Sequence, residues 1–222
     1  GAVEVTKALY AVGCRYFYVV TLHEAVELRN ALPSDAILYV LGGVPDEMDD
    51  VFVDFNLVPV LYSRFAIDQW LSFCASRKQA FPCALKLNTG MTRLGLDALE
   101  LDQLLSAPAN IAHLNPVLVM SHLACADEPA HPLNDEQLER FCFTVSKIKT
   151  LFPMIKTSLA NSSGTFLGGA FHFDMVRIGA ALYGINPQAG TANPLASVIH
   201  LRLPVLQIRT TERPESVGYG AT

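Results

Sequence analysis

The chain has 222 residues, 51% hydrophobic and 17% charged, with a formal net charge of −5. Such a composition builds one large α/β domain or one and a half ordinary ones, and excludes a disordered chain. No Lys/Arg run or basic stripe points to nucleic acid, and no apolar run approaches the roughly 18 residues of a membrane helix.

Strand-like and helix-like segments alternate along most of the length. The opening "GAVEVTKALY" reads as a helix, with Val5, Ala8, Leu9 and Val12 in phase and no strand before it. "YFYVV" (16–20) is the first expected strand, followed by a helix with Thr21 and Glu24 spaced as a capping box. "AILYVL" (36–41) and "LVPVLYS" (57–63) are strands, and Ile67, Trp70, Leu71 and Cys74 mark one helical face. "CALKLNT" (83–89) is a strand, a helix is expected from Asp97 to Leu105, and "PVLVMSHL" (116–123) is a long strand. Asn134 is the expected cap of a helix with Leu138, Phe141, Cys142, Val145 and Ile148 on one stripe. "IKTSLAN" (155–161) and "DMVRIG" (174–179) complete seven strands.

Continuous apolar strands, nearly all followed by a helix or a helical turn, imply a parallel sheet buried on both faces, as a barrel or a doubly wound sheet. Chemistry then collects at the strands' C-terminal ends. There the sequence places Lys86, Asn88, Arg93, His122, Asn161, Ser162 and Arg177. After residue 190 the pattern alternates, as an antiparallel β segment does. The expected division is therefore an α/β barrel over residues 1–190 and the start of a C-terminal β domain over 191–222. The five cysteines (14, 74, 83, 125 and 142) are scattered and lack CxxC spacing, which favours buried thiols in a reducing compartment over metal ligands.

Each polar strand end has a bland reading beside a chemical one. Lys86 and Asn88 share a strand face, and Arg93 lies in a loop with Gly90 and Gly95, either as a ligand-binding turn or as an ordinary strand end with a surface arginine. His122 is either a site residue or a satisfied packing histidine; no second His or Cys at ligand spacing favours a metal. Asn161 and Ser162 form either an anion-binding turn or a plain helix cap. Gly179 and Ala180 supply free N–H groups at the next strand's end, where barrel enzymes hold phosphate. Arg177, in an apolar run, needs a partner, because a guanidinium neither sheds its proton nor tolerates burial alone.

In series, "LKLNTGMTRLG" (85–95), "SHLACADE" (121–128), "LANSSGT" (159–165), "DMVRIGAALYGINP" (174–187) and "VGYGAT" (217–222) resemble bacterial alanine racemases, over essentially the whole chain. The resemblance implies an eight-stranded (β/α)8 TIM-type barrel with its first strand outside this chain, followed by an antiparallel β domain. It implies a pyridoxal 5'-phosphate enzyme, cytoplasmic and homodimeric with shared active sites, that interconverts L- and D-alanine by two-base proton transfer and supplies D-alanine for peptidoglycan. Carried over, Tyr219 is the base acting in the partner subunit, and Arg93 contacts the substrate carboxylate and the cofactor's phenolic oxygen. Asn161, Ser162, Gly179 and Ala180 bind the cofactor, the last three at its phosphate. Arg177 faces the pyridine nitrogen, and His122 bridges Arg177 to the incoming tyrosine. Arginine only donates, so that nitrogen must be an unprotonated acceptor, a weaker electron sink that favours racemisation over transamination.

Lys86 resembles a position that relatives carbamylate, although Asn88 stands where aspartate is usual. The cofactor-anchoring lysine is expected before Gly1, and Lys7 is not its substitute, so the chain by itself is expected to be inactive. A fold-related pyridoxal-phosphate decarboxylase would set a carboxylate where Arg177 stands. A non-catalytic cofactor-binding module would lack the β segment. Both remain as alternatives.

Overall fold

The computed structural model describes residues 1–107 and 111–218. Six strands form one wholly parallel sheet in sequential order: β1 (Tyr16–Val19), β2 (Ile37–Val40), β3 (Leu57–Leu61), β4 (Pro82–Lys86), β5 (Asn115–Met120) and β6 (Lys156–Ser158). The α-helices set out in full among the described residues are α1 (Ala2–Ala11), α2 (Leu22–Ala31), α3 (Asp49–Asp54), α4 (Arg64–Arg77), α5 (Ala98–Leu105) and α6 (Leu133–Leu151). Among the described residues no helix is long and apolar enough to cross a membrane.

The sheet is buried on both faces, which explains the unbroken apolar runs. One set of side chains packs outward under the helices: Leu38, Leu61, Leu85 and Val119 meet Phe52, Trp70, Phe141 and Ile148. The alternate set, Tyr39, Val58, Val60, Ala84, Leu118 and Met120, forms a separate inner cluster. Curvature brings the sheet's two ends together inside. The Tyr18 hydroxyl reaches Met175 Sδ at 3.0 Å, and Lys156 Nζ meets the Tyr16 hydroxyl. Tyr18 and Tyr39 stack with ring centroids 4.8 Å apart. These contacts join the first strand to the last across the lumen of a partly closed barrel.

Local signals account for most helix starts. Thr21 and Glu24 form the expected capping box on α2, and Asp97 with Glu100 forms another on α5. The expected Asn134 cap is not formed. α6 begins at Leu133 behind Pro132, whose φ of −62° is already helical, and Asn134 Nδ2 turns to the Glu128 carbonyl at 3.0 Å.

Residues 174–179 also depart from expectation. They run beside β6, with the Arg177 N–H on the Ala160 carbonyl at 2.9 Å, but build no strand ladder. Side chains occupy the groups a ladder would use. Ser158 Oγ donates to the Met175 carbonyl, and the Arg177 guanidinium takes the Ser158 and Leu159 carbonyls. Residues 191–218 carry no helix or strand; their alternating apolar residues, such as Leu201, Leu203 and Val205, are exposed. A β segment is stable only with pairing partners.

Candidate active site

The C-terminal ends of β4, β5 and β6 converge on one polar patch. Lys86 closes β4, His122 follows β5, Asn161 and Ser162 follow β6, and Arg177 comes from the segment beside β6. Arg177 answers its burial with backbone acceptors. Nη1 donates to the Ser158 carbonyl at 3.0 Å and to Ser158 Oγ at 2.6 Å; Nη2 donates to the carbonyls of Ser121 and Leu159. Four of the five guanidinium N–H groups are thereby spent on neutral oxygens. The Nε–H keeps no partner among the described residues, and its charge keeps no carboxylate.

Lys86 is 6% exposed, and its ammonium makes neither a hydrogen bond nor an ion pair among the described residues. Burial lowers its pKa, and the charges of Arg93 and Arg177 lower it further. His122 is pushed down to about 4, first by burial and then by Arg177, Lys86 and Arg93. Its Nε2 lies 3.4 Å from Asn161 Nδ2, an amide donor, so Nε2 is an acceptor and the imidazole is neutral. The expected His122–Arg177 bridge is a neighbourhood in this structure and not a hydrogen bond; Asn161 is the direct contact.

Asn161 is shared out locally. Nδ2 also reaches the Leu123 carbonyl at 3.2 Å, and Oδ1 accepts from the Gly164 N–H at 2.9 Å. Ser162 Oγ sits in a small amide cradle, accepting from the N–H of Gly179 at 2.9 Å and of Ala181 at 3.2 Å. A hydroxyl that accepts two amides still has its own proton to donate. The space where a Gly179 side chain would stand is open. The sequence expectation placed the Gly179 and Ala180 N–H groups on a ligand; here Gly179 and Ala181 bind Ser162.

Arg93 reaches the patch from an exposed loop with a defined shape. Asn88 Oδ1 accepts from the N–H groups of Gly90 and Thr92, at 3.1 and 3.0 Å, turning the chain sharply after β4. Gly95 brings the loop back: a Cβ there would stand 2.5 Å from the Leu87 backbone, and its φ is +133°. Only glycine fits. Tyr219 lies outside the described residues.

Sequence reasoning overlooked a buried polar cluster behind the patch, formed by Thr89, Ser121, Gln137 and Ser158. Gln137 had a visible signal. It stands one turn before Phe141 on the stripe that α6 buries, where Cys142 is exposed instead.

Three cationic side chains thus lie around a neutral histidine, and a serine in an amide cradle stands at the neighbouring strand end, with no carboxylate among the groups that perturb Lys86, His122 and Arg177. Such a patch takes anions. The comparisons give it a family. Residues 1–187 match the model described as "Alanine racemase, N-terminal domain". An alanine racemase of Rhodospirillum rubrum is 50% identical over all of this chain and 58% of its own length, and one of Rhizobium meliloti is 39% identical over 57% of its length. Among solved structures, the alanine racemase of Bartonella henselae with covalently bound pyridoxal phosphate superposes with a TM-score of 0.83 at 35% identity, over 89% of this chain and 56% of that one. The biosynthetic alanine racemase of Pseudomonas aeruginosa superposes with a TM-score of 0.82 at 32% identity, over all of this chain and 61% of that one. The six sequential strands are a large part of the family's TIM-type barrel, the chain spans between half and two thirds of the length of these relatives, and it belongs to the alanine racemase family.

Proposed function

We propose that a protein carrying this chain is an isomerase that interconverts L- and D-alanine with pyridoxal 5'-phosphate. The observation that carries the reading is the cluster of Lys86, Arg93 and Arg177, which has no carboxylate to balance it. A phosphate and a substrate carboxylate supply the missing negative charge. The residues present fit the cofactor's chemistry: an amide cradle whose serine proton is uncommitted suits its phosphate, and a donor-only guanidinium with a spare Nε–H suits its pyridine nitrogen. When bound, the cofactor would withdraw electrons from the amino acid and acidify its α-hydrogen.

The chain's own residues then divide the work. Ser162, with the Gly179 and Ala180 region and Asn161, holds the phosphate end. Arg177 holds the pyridine end and, because it cannot accept a proton, keeps that nitrogen unprotonated. Arg93 orients the substrate carboxylate. His122 stays neutral beside Arg177, available to a tyrosine hydroxyl; Tyr219, supplied by the partner in a homodimer, is the second base. Lys86 is the position open to carbamylation: its lowered pKa leaves more of the free amine that attacks carbon dioxide, and a carbamate there would turn one cation of the cluster into an anion facing Arg93. Residues 1–190 are the barrel and 191–222 enter a C-terminal β domain, whose partners the alternating residues from Val198 onward await. The product D-alanine would serve peptidoglycan synthesis in the cytoplasm.

The test is exchange. The full-length protein, loaded with cofactor and given D-alanine in deuterated water, should release L-alanine carrying deuterium at the α-carbon. No exchange and no L-alanine would refute the assignment. Intact mass should also show one carbon dioxide adduct that Lys86→Ala abolishes.

A further inference from the structure

Gln137 is fully buried on α6, and it spends its whole amide on the two loops that carry the site. Oε1 accepts from the Ala124 N–H at 2.9 Å; Nε2 donates to the His122 carbonyl at 2.9 Å and to Thr89 Oγ1 at 3.0 Å. Proton order follows from these partners. Ser121 Oγ donates to the Leu87 carbonyl at 2.8 Å, so the 2.8 Å contact between Thr89 and Ser121 has Thr89 as donor. A one-way chain therefore runs from Gln137 through Thr89 and Ser121 to Leu87. One turn further along α6, Arg140 Nη1 holds the Thr89 carbonyl at 3.1 Å.

The peptides around His122 are fixed from both sides. The Ser121 N–H is on the Ser158 carbonyl at 3.1 Å, the Ser121 carbonyl is on Arg177, and the His122 carbonyl is on Gln137. The same glutamine, through Thr89, holds the root of the loop that ends in Arg93. Such chains act as units in a low-dielectric interior.

Resting on the racemase reading, we propose that Gln137 is a positioning residue: from behind the sheet it sets the orientation of His122 and the reach of Arg93 toward the substrate carboxylate. It touches neither substrate nor cofactor. No other side chain offers one acceptor and two donors in that shape. Glutamate keeps the acceptor and loses the donors, and methionine keeps only the volume.

The experiment uses the full-length holoenzyme and compares Gln137→Met, Gln137→Glu, Thr89→Val and Thr89→Ser. Gln137→Met and Thr89→Val should each raise KM for alanine about tenfold while kcat falls less, with cofactor stoichiometry intact. Thr89→Ser, which keeps the hydroxyl, should stay within about twofold of the parent. The Gln137→Met and Thr89→Val double variant should lose no more than the worse single one. NMR titration of His122, whose charged neighbours are Lys86, Arg93 and Arg177, should show a higher pKa in the charge-neutral Gln137→Met, as the ring moves away from those cations.

A merely structural role would lower the melting temperature and the active fraction but leave KM and the His122 titration unmoved; that result overturns the proposal. If Gln137→Met does not fold, the Thr89 pair decides alone, since equal KM in Thr89→Val and Thr89→Ser overturns it. If the parent enzyme does not turn over alanine, the racemase reading fails instead, and the titration still reports on the positioning of His122.

Discussion

A neutral His122 has a cost that can be measured in the cofactor-free protein with Lys86 unmodified. Burial and three cationic neighbours take its pKa from 6.5 to about 4. Between those values the unfolded chain binds a proton that the folded chain refuses. Stability is therefore fully present above about pH 6.5 and is lost as the pH falls through that window. Integrated from about pH 7.5 down to about pH 4.5, the loss is about 2.5 kcal/mol. Lowered carboxyl pKa values, as at Glu24 and Asp174, give losses of the same sign at lower pH, so the informative quantity is the difference from His122→Gln. Urea unfolding of both proteins across the window should show the parent losing about 2.5 kcal/mol more than the variant. Inorganic phosphate should shrink that gap, because an anion among Lys86, Arg93 and Arg177 offsets the repulsion that adds to burial in keeping His122 neutral. Parallel pH dependences of parent and variant would refute the electrostatic account of the site.

The other expected outcomes follow from single contacts. Arg177→Lys exchanges a fork bonded to Ser121, Ser158 and Leu159 for a single ammonium, and should cost about 2–4 kcal/mol in urea unfolding together with weaker pyridoxal phosphate binding by titration. Ser162→Ala orphans the N–H groups of Gly179 and Ala181; an about tenfold weaker cofactor affinity with a stability loss of about 1–2 kcal/mol is expected. Gly95→Ala forces a Cβ into the Leu87 backbone at a positive φ and should cost about 2–4 kcal/mol, with KM for alanine raised because Arg93 shifts with the loop.

Much of this protein was legible along the chain because its signals are local. The apolar runs at 57–61 and 116–120 had to be strands buried on both faces, and the Thr21–Glu24 spacing had to start a helix. The motif series from Lys86 to Gly184 was specific enough to place the chain in its family, as the match over residues 1–187 shows. Segments whose form depends on neighbours were not legible. Residues 174–179 read as a strand by composition, but Ser158 and Arg177 side chains capture the groups a ladder would need. Asn134 read as a cap until Pro132 moved the helix start.

The sequence by itself determined which residues carry charge and that they fall at strand ends, because strand and helix periods are short-range properties. Only the tertiary structure decided what those charges meet. It places Arg177 against carbonyls from two other strand ends, buries His122 beside Arg177, Lys86 and Arg93 so that it stays neutral, and carries Gln137 from an outer helix to the back of both site loops. Those encounters join residues dozens of positions apart, and no spacing rule encodes them. The curl of the sheet does, by bringing the ends of β4, β5 and β6 onto one rim.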